Sequence, residues 1–189
     1  TATLSGADIT AGYVDITASS LGADGAKSLT ATITDIAGNS ATSSALSVTV
    51  DTEAPTVSLA LTTGSDSGTS SSDRNTSDDT PTIRVSLTGS SGAAPVAGDV
   101  VQLYSGSTLV GTITLSGADI TAGYVDITAS TLGADGAKSL TATVTDIAGN
   151  SATSSALSVA VDTAAPTVTL SLTAGSDSGT SSSDRNTSD

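Results

Sequence analysis

The chain has 189 residues, with 19 acidic against 5 basic side chains for a net charge of −14, and contains no Cys, His, Met, Trp or Phe. The lack of thiol and imidazole excludes a disulfide framework, Zn–thiolate or Fe–S centres, a Ser-His-Asp triad and haem ligation. Five scattered cations cannot neutralise a run of phosphates, so nucleic acid is not an expected partner.

Of the acids, 18 are Asp and one is Glu53, so oxygen is the only metal-binding element in quantity. No apolar run approaches the roughly 20 residues that span a bilayer and no signal peptide is visible, so no membrane insertion is expected. The core must come from Ala, Val, Leu and Ile, because Tyr13, Tyr104 and Tyr124 are the only aromatics.

Repetition organises the chain. The run TLSGADITAGYVDITAS begins at Thr3 and again at Thr114, an offset of 111 residues, and 70 of the 78 positions in 1–78 recur unchanged in 112–189. That period is too long for a solenoid and matches a whole small domain in tandem.

In chain order, Val57, Leu59 and Leu61 alternate with polar residues, and so do Ile83, Val85 and Leu87. The alternation predicts two strands. Residues 100–115 read as a hairpin about Ser105-Gly106-Ser107-Thr108, and strands follow at 124–128, 139–146 and 156–161. No segment shows a helical period. Seven short strands in about 110 residues predict an all-β fold, a Greek-key immunoglobulin-like β-sandwich repeated in tandem.

Asp51-Thr52-Glu53-Ala54-Pro55 and its copy Asp162-Thr163-Ala164-Ala165-Pro166 mark the boundaries, since a Pro before an alternating run suits the start of an edge strand. Residues 52–162 then form one complete repeat, 1–51 the C-terminal part of a preceding one, and 163–189 the first strand and loop of the next. The expectation is a window on a longer chain.

DTEAPTV (51–57), SDSGTSSSDRNTSDDTPTI (65–83) and VTDIAGNSAT (144–153), in that order, resemble the Ig-like tandem repeats of giant bacterial RTX-type, type I-secreted surface adhesins. The resemblance implies an extracellular stalk at the bacterial cell surface that supports adhesion and biofilm formation. It further implies modules that bind Ca²⁺ at and near their junctions, with the adhesive target held by other regions.

The densest acidic stretch carries Asp66, Asp73, Asp78 and Asp79, and its second copy retains Asp177, Asp184 and Asp189. Four like charges within fourteen residues repel one another, and Ca²⁺ accepts six to eight oxygens from such flexible loops. Cation-dependent ordering is expected. The alternative is a solvated loop whose Asp and Ser simply form turns.

A second candidate lies at the junction. There Asp146 and Asn150 of TDIAGN, linker residues Asp51 and Glu53, and Asp24 from the preceding repeat could clamp a cation. Here too a plain turn is the alternative, with Gly149 at positive φ. Because Glu53 is replaced by Ala164 in the other linker, it is not expected to be indispensable. Asp8, Asp15, Asp119 and Asp126 are expected to face solvent.

The expected function is that of a Ca²⁺-stiffened extender repeat whose partners are neighbouring repeats of the same chain. A module binding carbohydrate, ice or a host protein is the alternative, and an enzyme is not expected.

Overall fold

The computed structural model describes residues 1–87, 93–178, 180, 181, 183 and 185–188. Residues 1–50 hold a short helix α1 (Gly6–Ala11) and strands β1 (Gly25–Leu29), β2 (Thr32–Thr34), β3 (Ser40–Thr42) and β4 (Leu46–Val50). The following repeat begins with β5 (Ser58–Leu61), β6 (Asn75–Thr76), β7 (Thr82–Ser86), β8 (Val100–Ser105) and β9 (Thr108–Thr114). It continues through α2 (Gly117–Ala122), β10 (Tyr124–Thr128), β11 (Gly136–Thr145), β12 (Ser151–Thr153) and β13 (Leu157–Val161).

Two sheets make the sandwich. One has the order β10-β7-β5; the other runs β6-β13-β11-β8-β9, with β12 also paired to β11. Apart from β6, the strands pair antiparallel. Alternation decides which side chains enter the core. Ile83 and Val85 of β7, Leu103 of β8, Leu140 and Val144 of β11, and Val159 of β13 are all within 1% of complete burial. Each such aliphatic contributes about 1.5–3 kcal/mol, which is how the core forms without Phe or Trp. Pro55, ahead of edge strand β5, is also fully buried.

In residues 1–50 the equivalent strands pair as β1 with β4 and β2 with β3 but carry no facing sheet. Leu46 is accordingly 63% exposed, where its repeat counterpart Leu157 is 4% exposed.

Three features differ from the sequence expectations. Two helices exist where no helical period was seen, because a capping box builds each in a single turn. Ser116 Oγ accepts from the Asp119 N–H at 3.3 Å while Asp119 Oδ2 accepts from the Ser116 N–H at 2.8 Å, and Gly123 closes the helix at φ 76°. Asp8 repeats this with Ser5, so Asp8 and Asp119 are helix caps rather than idle surface charges, and the Ser hydrogen bonds hold both carboxyls below their usual range. The strand expected at 139–146 starts earlier, at Gly136. Finally, β6 is a two-residue strand inside what read as a loop.

On the outer face of the smaller sheet, Arg84 forks onto Asp126 at 2.8 and 2.7 Å and lies 3.8 Å over the Tyr124 ring. Asp126 therefore faces outward as expected, but paired; the Arg84 hydrogen bonds lower its pKa.

Candidate functional site

The loop between β5 and β7 is built by its own side chains. Ser65 Oγ accepts from the Thr82 N–H at 2.9 Å and donates to Asp78 Oδ2 at 3.2 Å; Ser67 Oγ accepts from the Ser77 N–H at 2.7 Å. Asp78 Oδ1 accepts from both the N–H and the hydroxyl of Thr80, at 2.9 and 3.0 Å. Asp79 Oδ2 accepts from Thr131 Oγ1 at 3.0 Å, and its carbonyl from the Leu132 N–H at 2.7 Å. Asp78 thus behaves as the turn-forming alternative requires, and Asp79 ties the loop to residues 131–132.

Asp66 and Asp73 are different. Asp66 is only 7% exposed; its Oδ2 accepts from the Arg74 N–H at 3.2 Å, and its Oδ1 is buried with no hydrogen-bond partner. The Asp73 carboxyl lies below its usual pKa, mainly through the backbone and side-chain hydrogen bonds from Asn75, and the Asp66 side chain lies close enough to act on it as well. A buried, unpartnered carboxylate oxygen beside a second carboxylate is costly unless a proton, water or cation meets it. The donor chemistry, hard oxygen in a loop rich in hydroxyls and carbonyls, fits a divalent cation of the Ca²⁺ type.

The second copy repeats the arrangement. Asp177 Oδ1 is buried without a partner, Ser178 Oγ accepts from the Ser188 N–H at 2.9 Å, and Arg185 has φ 61° where Arg74 has φ 63°. Asp184 and Asp189 lie outside the described residues.

At the junction, Asn150 links two of the expected residues. Its Nδ2 donates to Asp146 Oδ2 at 2.9 Å and to the Asp51 carbonyl at 3.0 Å, while its N–H donates to Asp146 Oδ1 at 2.8 Å. Partial burial works against the ionised Asp146, yet the Asn150 side chain and the backbone donors of this turn hold its pKa low. Gly149 sits at φ 97°, as the turn demands. Asp51 Oδ1 accepts weakly from the Glu53 N–H at 3.3 Å. Asp24 approaches from the preceding repeat, but onto the linker backbone. Its carboxylate accepts from the Thr52 N–H and hydroxyl at 3.0 and 2.9 Å, and Asp135 holds Thr163 the same way at 3.0 and 2.8 Å.

One candidate was missed. Asp99 is 1% exposed, its Oδ2 accepts from the Val96 N–H at 2.8 Å, and its Oδ1 has no partner. A charged residue placed directly before the strand run Val100-Val101, after a Gly, was the available signal.

The two clusters occupy opposite ends of the repeat. β11 begins beside the outgoing linker and finishes beside the Asp146 turn, ten residues later or about 30 Å at strand rise. Asp135 lies at the outgoing end, where the Asp66 loop is also tied to β13; Asn150 joins Asp146 to the Asp51 carbonyl at the incoming end. Among the described residues, no three acidic side chains already converge as a metal cluster.

A family model for the bacterial Ig-like domain matches residues 2–52 and again residues 53–163. The chain belongs to the bacterial Ig-like domain family. No curated protein sequence matches it significantly. The second matched segment holds the sandwich, the Asp66 loop and the Asp146 turn, while Asp51 lies in the first. Among the described residues no helix is long and apolar enough to cross a membrane.

Proposed function

We propose that this bacterial Ig-like domain is an extender repeat of a cell-surface adhesin, stiffened by Ca²⁺ bound at the ends of each module. The observation that carries the reading is the buried Asp66 Oδ1, unpartnered beside Asp73 and matched by Asp177 in the next copy. A cation there would be held by the Asp66 and Asp73 carboxylates with carbonyl and hydroxyl oxygens of the same loop, and it would supply the countercharge that the loop lacks. Asp51, Asp146 and Asn150 would serve at the incoming end. Extracellular modules bind Ca²⁺ at about 10⁻⁴ to 10⁻³ M, so such a stalk would stiffen once outside the cell.

The chain's own residues supply the rest of the mechanism. Asp24 on Thr52 and Asn150 on Asp51 grip neighbouring linker residues from the two adjoining repeats. A stiff junction needs only this linker to be held from both sides. Direct recognition of a ligand by the threonines of β11 (Thr141, Thr143 and Thr145) is less favoured, because two of their hydroxyls are already bonded within the protein: Thr143 to Thr153 at 3.0 Å and Thr145 to Ser151 at 2.7 Å.

Small-angle scattering from two complete adjoining repeats tests the reading. The maximum dimension is expected to be longer and better defined in CaCl₂ than in EDTA; identical curves in both would refute it.

A further inference from the structure

The loop that carries Asp66 also holds the strand from which the next linker leaves. β6 pairs parallel with β13, Asn75 against Ala160 and Thr76 against Val161. The Ala160 N–H donates to the Arg74 carbonyl at 2.9 Å, and the Asp162 N–H donates to the Thr76 carbonyl at 2.8 Å. The first residue of the outgoing linker is therefore tied to the acidic loop.

This tie is too short to stand alone. A two-residue parallel pairing has little stability of its own, and Arg74 enters it at φ 63°, which costs a non-glycine residue about 1 kcal/mol or more. What fixes Arg74 is its N–H bond to Asp66 Oδ2. The other oxygen of that same carboxylate is the buried, unpartnered one. One side chain thus faces the candidate cation with one oxygen and holds the start of β6 with the other.

We infer that cation occupancy at Asp66 and Asp73 is relayed through Arg74 and β6 to Asp162, so the ion that orders the loop also fixes the direction of the outgoing linker. This rests on the calcium reading above and adds its consequence. Without the cation, the buried Asp66 Oδ1 has no partner to hold that side chain in place, which loosens the 66–74 turn, frees Arg74 from its strained conformation and releases the Ala160 and Asp162 amides. With it, Asp66 is pinned and both amides stay bonded. Thr163 is held separately by Asp135, so the neighbouring residue has a grip independent of the ion.

Residue-resolved amide exchange on the full chain, in about 1 mM CaCl₂ and in EDTA, tests the relay, with calcium uptake measured on the same samples. For a site in the expected affinity range, Ca²⁺ slows exchange at Ala160 and Asp162 by about twofold to tenfold. It changes Thr163 less, and the core amide of Leu140, the folding control, stays strongly protected both with and without Ca²⁺. In Asp66→Asn the calcium effect at Ala160 and Asp162 disappears while Leu140 stays protected. Calcium uptake with protection of 66–79 but no change at Ala160 and Asp162 overturns the relay and leaves the calcium reading standing. No uptake at all overturns both.

Discussion

Asp66→Asn separates a structural carboxylate from a cation ligand by the sign of its effect. In the substituted chain the amide oxygen keeps the Arg74 N–H bond, and the new NH₂ group points where Oδ1 was unpartnered, beside the Asp73 carboxylate. In EDTA this removes a buried charge and adds a donor, so stability should rise by about 0.5–1.5 kcal/mol. In calcium the change removes a ligand. With about 10 mM free Ca²⁺ and a dissociation constant of about 10⁻⁴ to 10⁻³ M, the site contributes about 1.4–2.7 kcal/mol. For a domain of about 110 residues that corresponds to roughly 6–12 °C in Tm. Thermal unfolding followed by circular dichroism, in CaCl₂ and in EDTA, should show Asp66→Asn melting above the parent in EDTA and losing this much of the calcium-induced rise. An unchanged calcium-induced rise, or a variant that melts below the parent in EDTA, would refute the reasoning.

A Cβ on Gly111 would lie 2.6 Å from Ile127 Cγ2, so Gly111→Ala should destabilise by about 1–3 kcal/mol in chemical denaturation, and no loss would contradict the packing described. Asn150→Ala removes the bonds to Asp146 and the Asp51 carbonyl; it should cost about 1 kcal/mol and loosen the linker, visible as faster backbone motion at 51–53 in NMR relaxation. Asp119, Asp126, Asp135 and Asp146 all ionise more readily in the folded state than at the ordinary 3.8. Their contribution is therefore fully present above about pH 4 and drains as pH falls through their lowered values, so urea midpoints should drop between neutral pH and pH 3. Equal midpoints would contradict it.

The sandwich was legible because the 111-residue offset showed one unit twice and because the alternating Val, Leu and Ile positions are those that became the core. The helices were not, since a six-residue turn has no period to detect; only the Ser-x-x-Asp spacing at Ser5 and Ser116 foretold them. β6 was hidden because Asn75 and Thr76 are polar residues in a Ser-rich loop, and they pair only because β13 arrives from 85 residues later. At the candidate site, the acidic loop could be read as a cluster, but not its division of labour. Pattern alone cannot tell Asp78, consumed by Thr80, from Asp66, whose second oxygen is left over in the interior. Asp24 was expected among the junction ligands; its contact is with the linker amide and hydroxyl of Thr52, a detail that depends on the backbone path. Asp99 escaped because a single Asp before a strand looks like any other turn residue until the strand is seen to bury it.

The most direct test of the account is equilibrium dialysis of the full chain against about 1 mM free Ca²⁺, a concentration within or above the affinity range of extracellular modules. At least one ion retained per chain, and fewer retained by Asp66→Asn, is the result predicted. A chain that retains none would contradict it.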